Sequence, residues 1–284
     1  MLNNLSKDGI QFTLTFATQQ LEDISDTAVL DAEVLLCHVI KKTRSHLRAW
    51  PEKTLSLEQY DQFQRLLNQR LLGQPIAYII GKKEFWSRDF KVSPNVLIPR
   101  PDTELLIELS LDLIKNKVNP QLIDLGTGSG NIAITLAAER PDSDIMATDI
   151  SNQALKIANH NAKTHQIKNI HFIQSDWFDN VSKAEFDLVI SNPPYIALDD
   201  PHLSQGDVRF EPDCALVADK KGLKDINIIC QHALEYLKPN GTLLIEHGYD
   251  QQVAVQSIFD EYKYYNITTH NDLSGNPRVT TGQK

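Results

Sequence analysis

The apolar run Phe186-Asp187-Leu188-Val189-Ile190 is cut off by Ser191-Asn192-Pro193-Pro194-Tyr195, and this stop constrains the chain more than any other stretch. A run of that kind reads as a buried strand of a parallel sheet. Two consecutive prolines end it, because proline has no N–H for a ladder and pushes its predecessor out of the helical region. Asn192 is therefore expected at the carboxyl end of a strand, in stiff extended backbone, where open α/β sheets bind ligands. The Asn192 side-chain carbonyl and the Pro193 backbone carbonyl are two acceptors at fixed spacing. Together they can grip both hydrogens of a planar –NH2 group, with Tyr195 as a flat face for the group to lie on. Such a grip turns the nitrogen lone pair out of plane and makes a weak amide or aryl amine nucleophilic. A proline-rich turn with no such role is the alternative that this stretch leaves open.

Around the stop, strand and helix alternate as in a doubly wound α/β sheet. Leu122 to Leu125 predicts a short buried strand, Gly126-Thr127-Gly128-Ser129-Gly130 a glycine turn, and Asn131 to Ala137 the opening of a helix. Strands are also predicted over Asp144 to Asp149, Ile170 to Gln174, the run ending at Asn192, and Gly241 to Glu246. Ser151 is expected to cap a helix to about His165, with further helices near Asp225 to Leu237 and Gln251 to Phe259. Tyr265 to His270 and Arg278 to Thr281 read as an antiparallel pair.

The chain ahead of this alternation has a different period. To about Gln74 apolar residues recur at helical spacing, with Ser25 or Asp26, Thr43, and the capping box Ser56–Gln59 as predicted helix starts. His38 and His46 read as helix residues at the core edge rather than ligands. From Ile76 to Ile98 the pattern of Ala77-Tyr78-Ile79-Ile80, Glu84-Phe85-Trp86, Phe90 and Val92 predicts short strands with turns. A stiff segment, Ile98 to Glu104, follows, with Asp102 or Thr103 expected to cap the next helix. The expected organisation is a helical-bundle domain over 1–75, a short β connector over 76–98 and a Rossmann-like domain over 99–284.

The 284 residues, 41% hydrophobic and 23% charged, suit a globular protein with two domains. The formal net charge of −9 argues against a protein that holds nucleic acid mainly through its phosphates. Cys37, Cys214 and Cys230 form no metal or redox spacing, so no metal site is expected and the thiols read as buried and reduced. The polar start, Met1 to Gly9, has no apolar core of signal-peptide length, and no stretch reaches membrane-spanning length. A cytoplasmic protein is expected.

A glycine loop after a first strand lets a cofactor approach backbone atoms, and both dinucleotides and S-adenosylmethionine use such loops. Here the spacing is Gly-x-Gly-x-Gly, with Asn131 where a dinucleotide loop has its third glycine. Asp149 ends the second strand, where a carboxylate can take two ribose hydroxyls. Asp176 and Trp177 follow the third strand, where a carboxylate can meet an adenine amine and an indole can stack on its ring. Each residue has a structural alternative, a helix cap for Asp149 and a core position for Trp177. A site lined by Asp124, Asp149 and Asp176 suits a cationic sulfonium better than a pyrophosphate. With Asn192 expected beside the first strand, facing the cofactor's methyl group and so part of the cofactor site as well, amino-group methyl transfer from S-adenosylmethionine is the chemistry this pattern points to.

On these residues the sequence resembles the HemK/PrmC family, the glutamine methyltransferases of bacterial class I release factors. The resemblance runs in order through Asp31-Ala32-Glu33, Gln74 to Tyr78, Glu84-Phe85-Trp86, Leu97 to Glu104, Asp124 to Gly130 and Ser175 to Phe178. It continues through Asn192 to Tyr195, Arg209 to Pro212, and Asp272 to Arg278. Asn-Pro-Pro-Tyr alone is shared with DNA adenine methyltransferases; the combination is much more specific. The resemblance implies that Gly126, Thr127, Gly128, Ser129, Gly130, Asp149 and Trp177 bind S-adenosylmethionine, with S-adenosylhomocysteine as product. It implies that Asn192, Pro193, Pro194 and Tyr195 bind the glutamine of a release factor's Gly-Gly-Gln tip, while the helical domain contacts the factor's body. The stretch from Ile196 to Asp213 is long enough for a mobile substrate loop, or a solvated one.

Two other readings stay open. The same grip suits an extruded base of DNA or RNA, although that would want a basic groove or a recognition domain. A cofactor-binding scaffold without catalysis would leave the Asn192 corner without a role.

Overall fold

The computed structural model describes residues 9–182 and 185–284; Met1 to Asp8, where no signal peptide was expected, lie outside them. The chain forms two compact units, one comprising residues up to Gly81 with Gln205–Phe210, the other Lys82–Ser204 with Glu211–Lys284.

The first unit is helical: α1 (Ile10–Leu21), α2 (Ala28–Ile40), α3 (Arg44–Ala49), α4 (Leu57–Leu71) and α5 (Ile76–Ile80). Helical spacing puts Ala17, Leu21, Leu35, Leu36, Phe63 and Leu67 in one buried cluster. The capping box opens α4 as expected, Ser56 accepting the Gln59 N–H and Gln59 reaching back to Ser56. Ser25 caps nothing: its hydroxyl bonds Asp31 at 2.8 Å, and α2 starts after Thr27 without a side-chain cap. Thr43 stands before α3 without a cap bond. Buried Arg70 pairs with Asp31 and with Asp207, both at 2.8 Å, which fastens Gln205–Phe210 to this unit.

The strand expected over Ala77 to Ile80 is instead the short helix α5. Ile76, Ile79 and Ile80 have helical as well as extended spacing, and they pack on the helical cluster. Pro75 precedes the helix at φ −57°, and Gly81 ends it in the left-handed region at φ +73°.

The second unit opens with a hairpin of β1 (Lys82–Phe85) and β2 (Arg88–Lys91). Its two-residue turn, Trp86-Ser87, has positive φ at both positions, which matches the twist of the strands. There follow α6 (Glu104–Ile114), β3 (Gln121–Leu125), α7 (Asn131–Glu139), β4 (Asp144–Asp149), α8 (Asn152–Thr164), β5 (Ile170–Gln174) and β6 (Phe186–Ser191). Two short strands, β7 (Ile196–Ala197) and β8 (Val217–Ala218), pair in parallel. The chain ends with the one-turn α9 (Asp219–Gly222), α10 (Lys224–Tyr236), β9 (Leu237–Glu246), α11 (Gln252–Glu261), β10 (Tyr265–Asn271) and β11 (Pro277–Gln283).

The central sheet has seven strands in the order β10-β11-β9-β6-β3-β4-β5. The five strands from β9 to β5 are parallel, and β11 is antiparallel to both neighbours; its pairing with β10 is the one its sequence predicts. Successive strand residues face opposite cores. Leu122, Leu188 and Leu244 pack with α6 and α7, whereas Ile123, Val189 and Leu243 pack with α10 and α11. The sheet is thus doubly wound, and its order reverses between β3 and β6. That switch point is where the carboxyl ends of the strands leave a crevice. Among the described residues no helix is long and apolar enough to cross a membrane.

Candidate active site

The crevice is a cavity of about 300 Å³ lined within the second unit by Gly126 to Ser129, Asp149, Asp176, Trp177 and Asn192 among others. Residues from the ends of β3, β4, β5 and β6 therefore share one space. The pairing of β3 with β6 brings the glycine turn beside Asn192. Leu125 is in register with Ser191, and the Ser191 hydroxyl donates to the Leu125 carbonyl at 2.8 Å.

The glycine turn is a backbone cradle. Gly126 and Gly128 have φ of +74° and +55°; a Cβ on Gly126 would meet the Trp177 ring at 3.4 Å, and one on Gly128 would meet nothing within 4 Å. Gly130 does not line the cavity; it closes the turn at the start of α7 with φ +83°. The donor and acceptor set fits S-adenosylmethionine. Asp149 Oδ2 accepts the Gly128 N–H and Oδ1 the Ser151 N–H, each at 2.8 Å, leaving further lone pairs on both oxygens. Asp149 thus supports the loop and faces the cavity, while the cap of α8 comes from the Ser151 hydroxyl. Burial raises the Asp149 carboxyl above its ordinary range, opposed by those two N–H groups.

Asp124, expected to line the site, does not. It lies beneath the turn, 1% exposed, with Oδ2 accepting the Thr127 hydroxyl at 2.6 Å. Burial pushes its carboxyl up to about 7. The third cavity carboxylate is Asp225, at the start of α10. Its pKa is raised mainly by burial and also by Asp176, and the Trp177 side chain opposes the rise. Sequence reading missed Asp225 because only the tertiary fold brings it to Trp177. Arg100 is a cationic member of the lining, paired with the fully buried carboxylate of Glu211. Glu211 also accepts the Ile98 N–H at 3.0 Å, so the Arg209 to Pro212 motif buries its acid instead of solvating it. Cys214, read as buried, is exposed and lines the cavity.

Asn192 and Pro194 line the cavity; Pro193 and Tyr195 do not. The Asn192 Nδ2 donates to Thr103 Oγ1 at 3.2 Å, which leaves Oδ1 as the free acceptor of the corner. This bond explains why Thr103 does not cap α6: its hydroxyl faces Asn192, and the turn Pro101–Thr103 is 3-10. The Tyr195 hydroxyl donates to Glu246 Oε1 at 3.4 Å. Glu246 ends β9 next to β6 and is 1% exposed; burial raises its carboxyl to about 7, against the pull of Thr103 and Arg278. Arg278 in turn pairs with Asp272 at 3.1 Å and Asp102 at 3.3 Å. The two segments singled out in the sequence, 98–104 and 272–278, thus form one wall behind Asn192. Glu246 was missed, although its place at a strand's carboxyl end is a readable signal. No group of three or more potential metal ligands occurs among the described residues.

Comparison with known proteins follows the same division. Residues 116–283 match a family described as a methyltransferase domain, and residues 13–81 match the PrmC N-terminal domain. The chain is 49% identical to the release factor glutamine methyltransferase of Aliivibrio fischeri, covering 91% of each chain. It is 49% identical to that of Vibrio cholerae, covering 96% of each. The hMettl16 catalytic domain, solved with a MAT2A 3'UTR hairpin, superposes with TM-score 0.59 at 14% identity, covering 96% of this chain and 91% of that one, and shares its fold.

Proposed function

Since the chain belongs to the release factor glutamine methyltransferase family, we propose that Asn192 and Pro193 hold the side-chain amide of a release-factor glutamine in front of the cavity. The activity is methyl transfer to that amide nitrogen, for which S-adenosylmethionine supplies an electrophilic methyl carbon on its sulfonium and leaves as S-adenosylhomocysteine.

The observation that carries this assignment is the pairing of Asn192 Nδ2 with Thr103, which presents an acceptor at the edge of the glycine-loop cavity. Oδ1 of Asn192 and the Pro193 carbonyl each take one hydrogen of the substrate –NH2. Holding both hydrogens turns the lone pair toward the cavity, and Pro194 and Tyr195 form the rigid remainder of the seat, Tyr195 with its flat face beside the amide. The nitrogen loses its proton once it has been methylated, so the main contribution of the corner is alignment. Gly126 to Ser129 hold the cofactor by backbone approach, with Gly130 closing the turn behind them; Asp149 takes its ribose hydroxyls, and Asp176 and Trp177 border its adenine. The carboxylates of Asp149, Asp176 and Asp225 favour a cationic ligand over a pyrophosphate.

The helical unit contacts the body of a class I release factor, and the enzyme works in the cytoplasm. The net charge of −9 gives no support to nucleic acid as the direct substrate. Fragmentation mass spectrometry of a release factor incubated with enzyme and cofactor tests the assignment. A single methyl on the glutamine of the Gly-Gly-Gln tip is expected; a methyl elsewhere on the factor overturns it.

A further inference from the structure

Asn192 can hold a substrate –NH2 only if its own amide is turned the right way. The two ends of a primary amide have nearly the same shape, so the corner alone tolerates the reversed rotamer. Reversed, Asn192 would set N–H donors against the donors of the substrate. The partner on its far side decides between the two.

That partner is Thr103, 2% exposed, whose Oγ1 takes the Asn192 Nδ2 donor at 3.2 Å. A threonine hydroxyl can accept and donate, so it selects an amide orientation only if its own hydrogen is committed elsewhere. The Glu246 carboxyl stands beside it as the available acceptor. Glu246 Oε1 receives the Tyr195 hydroxyl, and Oε2 is buried with no hydrogen bond of ordinary geometry, so the carboxyl keeps acceptor capacity. Arg278, fixed by Asp102 and Asp272, supplies the positive charge of this wall.

We propose that Glu246 and Thr103 form an orienting relay: Glu246 takes the Thr103 hydroxyl hydrogen, and Thr103 Oγ1 turns its lone pairs to Asn192 Nδ2. Asn192 is thereby locked with Oδ1 toward the substrate amide. Both are positioning residues that act through Asn192. The relay rests on the reading that Asn192 holds the glutamine amide.

The test compares Thr103→Val, Thr103→Ser, Glu246→Gln, Asn192→Ala and the Thr103→Val/Asn192→Ala double variant. Measured are kcat on saturating release factor, S-adenosylhomocysteine affinity by calorimetry, and thermal melting. Thr103→Val is expected to lower kcat about 10- to 100-fold, the worth of one hydrogen bond in a buried site. KM for the factor and cofactor affinity stay within about twofold, and Thr103→Ser regains most of the rate. In the Asn192→Ala background, Thr103→Val adds no further loss. The Asn192 side-chain amide protons, assigned by NMR, lose protection from exchange in Thr103→Val and keep it in Thr103→Ser.

Parent-like kcat in Thr103→Val, no rescue by serine, or a full additional loss in the double variant overturns the relay. Glu246→Gln keeps the shape and answers the case in which Thr103→Val does not fold: kcat falls with cofactor affinity kept, and an unchanged kcat overturns the proposal. If Asn192→Ala itself turns over like the parent, the assignment of Asn192 fails, which is a different outcome from failure of the relay.

Discussion

The carboxylate of Asp149 accepts the backbone N–H of Gly128 at 2.8 Å, tying the end of β4 to the turn after β3. One side chain thus holds the cradle in shape and lines the cavity. Asp149→Ala is expected to weaken S-adenosylmethionine binding about 10- to 100-fold through the lost acceptors. Calorimetric titration measures it, and an unchanged affinity would remove Asp149 from the cofactor site.

Asn192 lines the cavity with its Nδ2 held by Thr103, and on the proposed assignment it separates binding from chemistry. Asn192→Ala should lower methyl transfer by about 100-fold or more, the scale of lost alignment, with cofactor affinity kept within a few-fold. A parallel fall in cofactor affinity and melting temperature would instead make it a structural residue.

Gly130 is held for packing as much as for its φ of +83°. A Cβ there would lie 2.8 Å from Ile134 Cδ1 and 3.1 Å from the Ala158 Cβ. Gly130→Ala should cost about 2–4 kcal/mol, combining left-handed strain with overpacking. Urea unfolding checks this; an unchanged midpoint would contradict it.

Asp124 and Glu246 link stability to pH. Burial raises both carboxyls to about 7, opposed by the Thr127 hydroxyl for Asp124 and by Thr103 and Arg278 for Glu246. Unfolded carboxyls titrate near ~4. Between about pH 4 and pH 7 the folded state therefore keeps protons that the unfolded state releases. Their contribution to stability is full below the unfolded pKa and is lost as pH rises through the folded one. Asp124→Asn, which keeps an acceptor for Thr127, should flatten the fall in unfolding free energy across that window. The removed part is at most about 4 kcal/mol. Urea titrations at stepped pH measure it, and a slope identical to the parent would contradict the assignment.

What could be read in the chain is what is local. The strands over Asp144–Asp149 and Ile170–Gln174, the cap at Ser151 and the box at Ser56–Gln59 follow from spacing and neighbouring residues. So does the position of Asn192, since two prolines must end a strand. The segment Ile76–Ile80 was misread because its isoleucines satisfy both periods and only packing on the helical cluster decides. Asp124 was placed in the cavity by its nearness to the glycine turn, whereas its side chain is drawn under the turn by Thr127. Thr103 with Asn192, Tyr195 with Glu246 and Arg278 with Asp102 are contacts between distant segments. No local rule announces them, although both wall segments were marked by the family resemblance.

The most direct measurement follows labelled methyl from S-adenosylmethionine to a purified release factor, to its Gly-Gly-Gln variant with the glutamine replaced by alanine, and to DNA and RNA fragments. Label on the intact factor alone is the expected result. Label on nucleic acid with none on the factor would contradict it, and would recast the Asn192 corner as a seat for an extruded base.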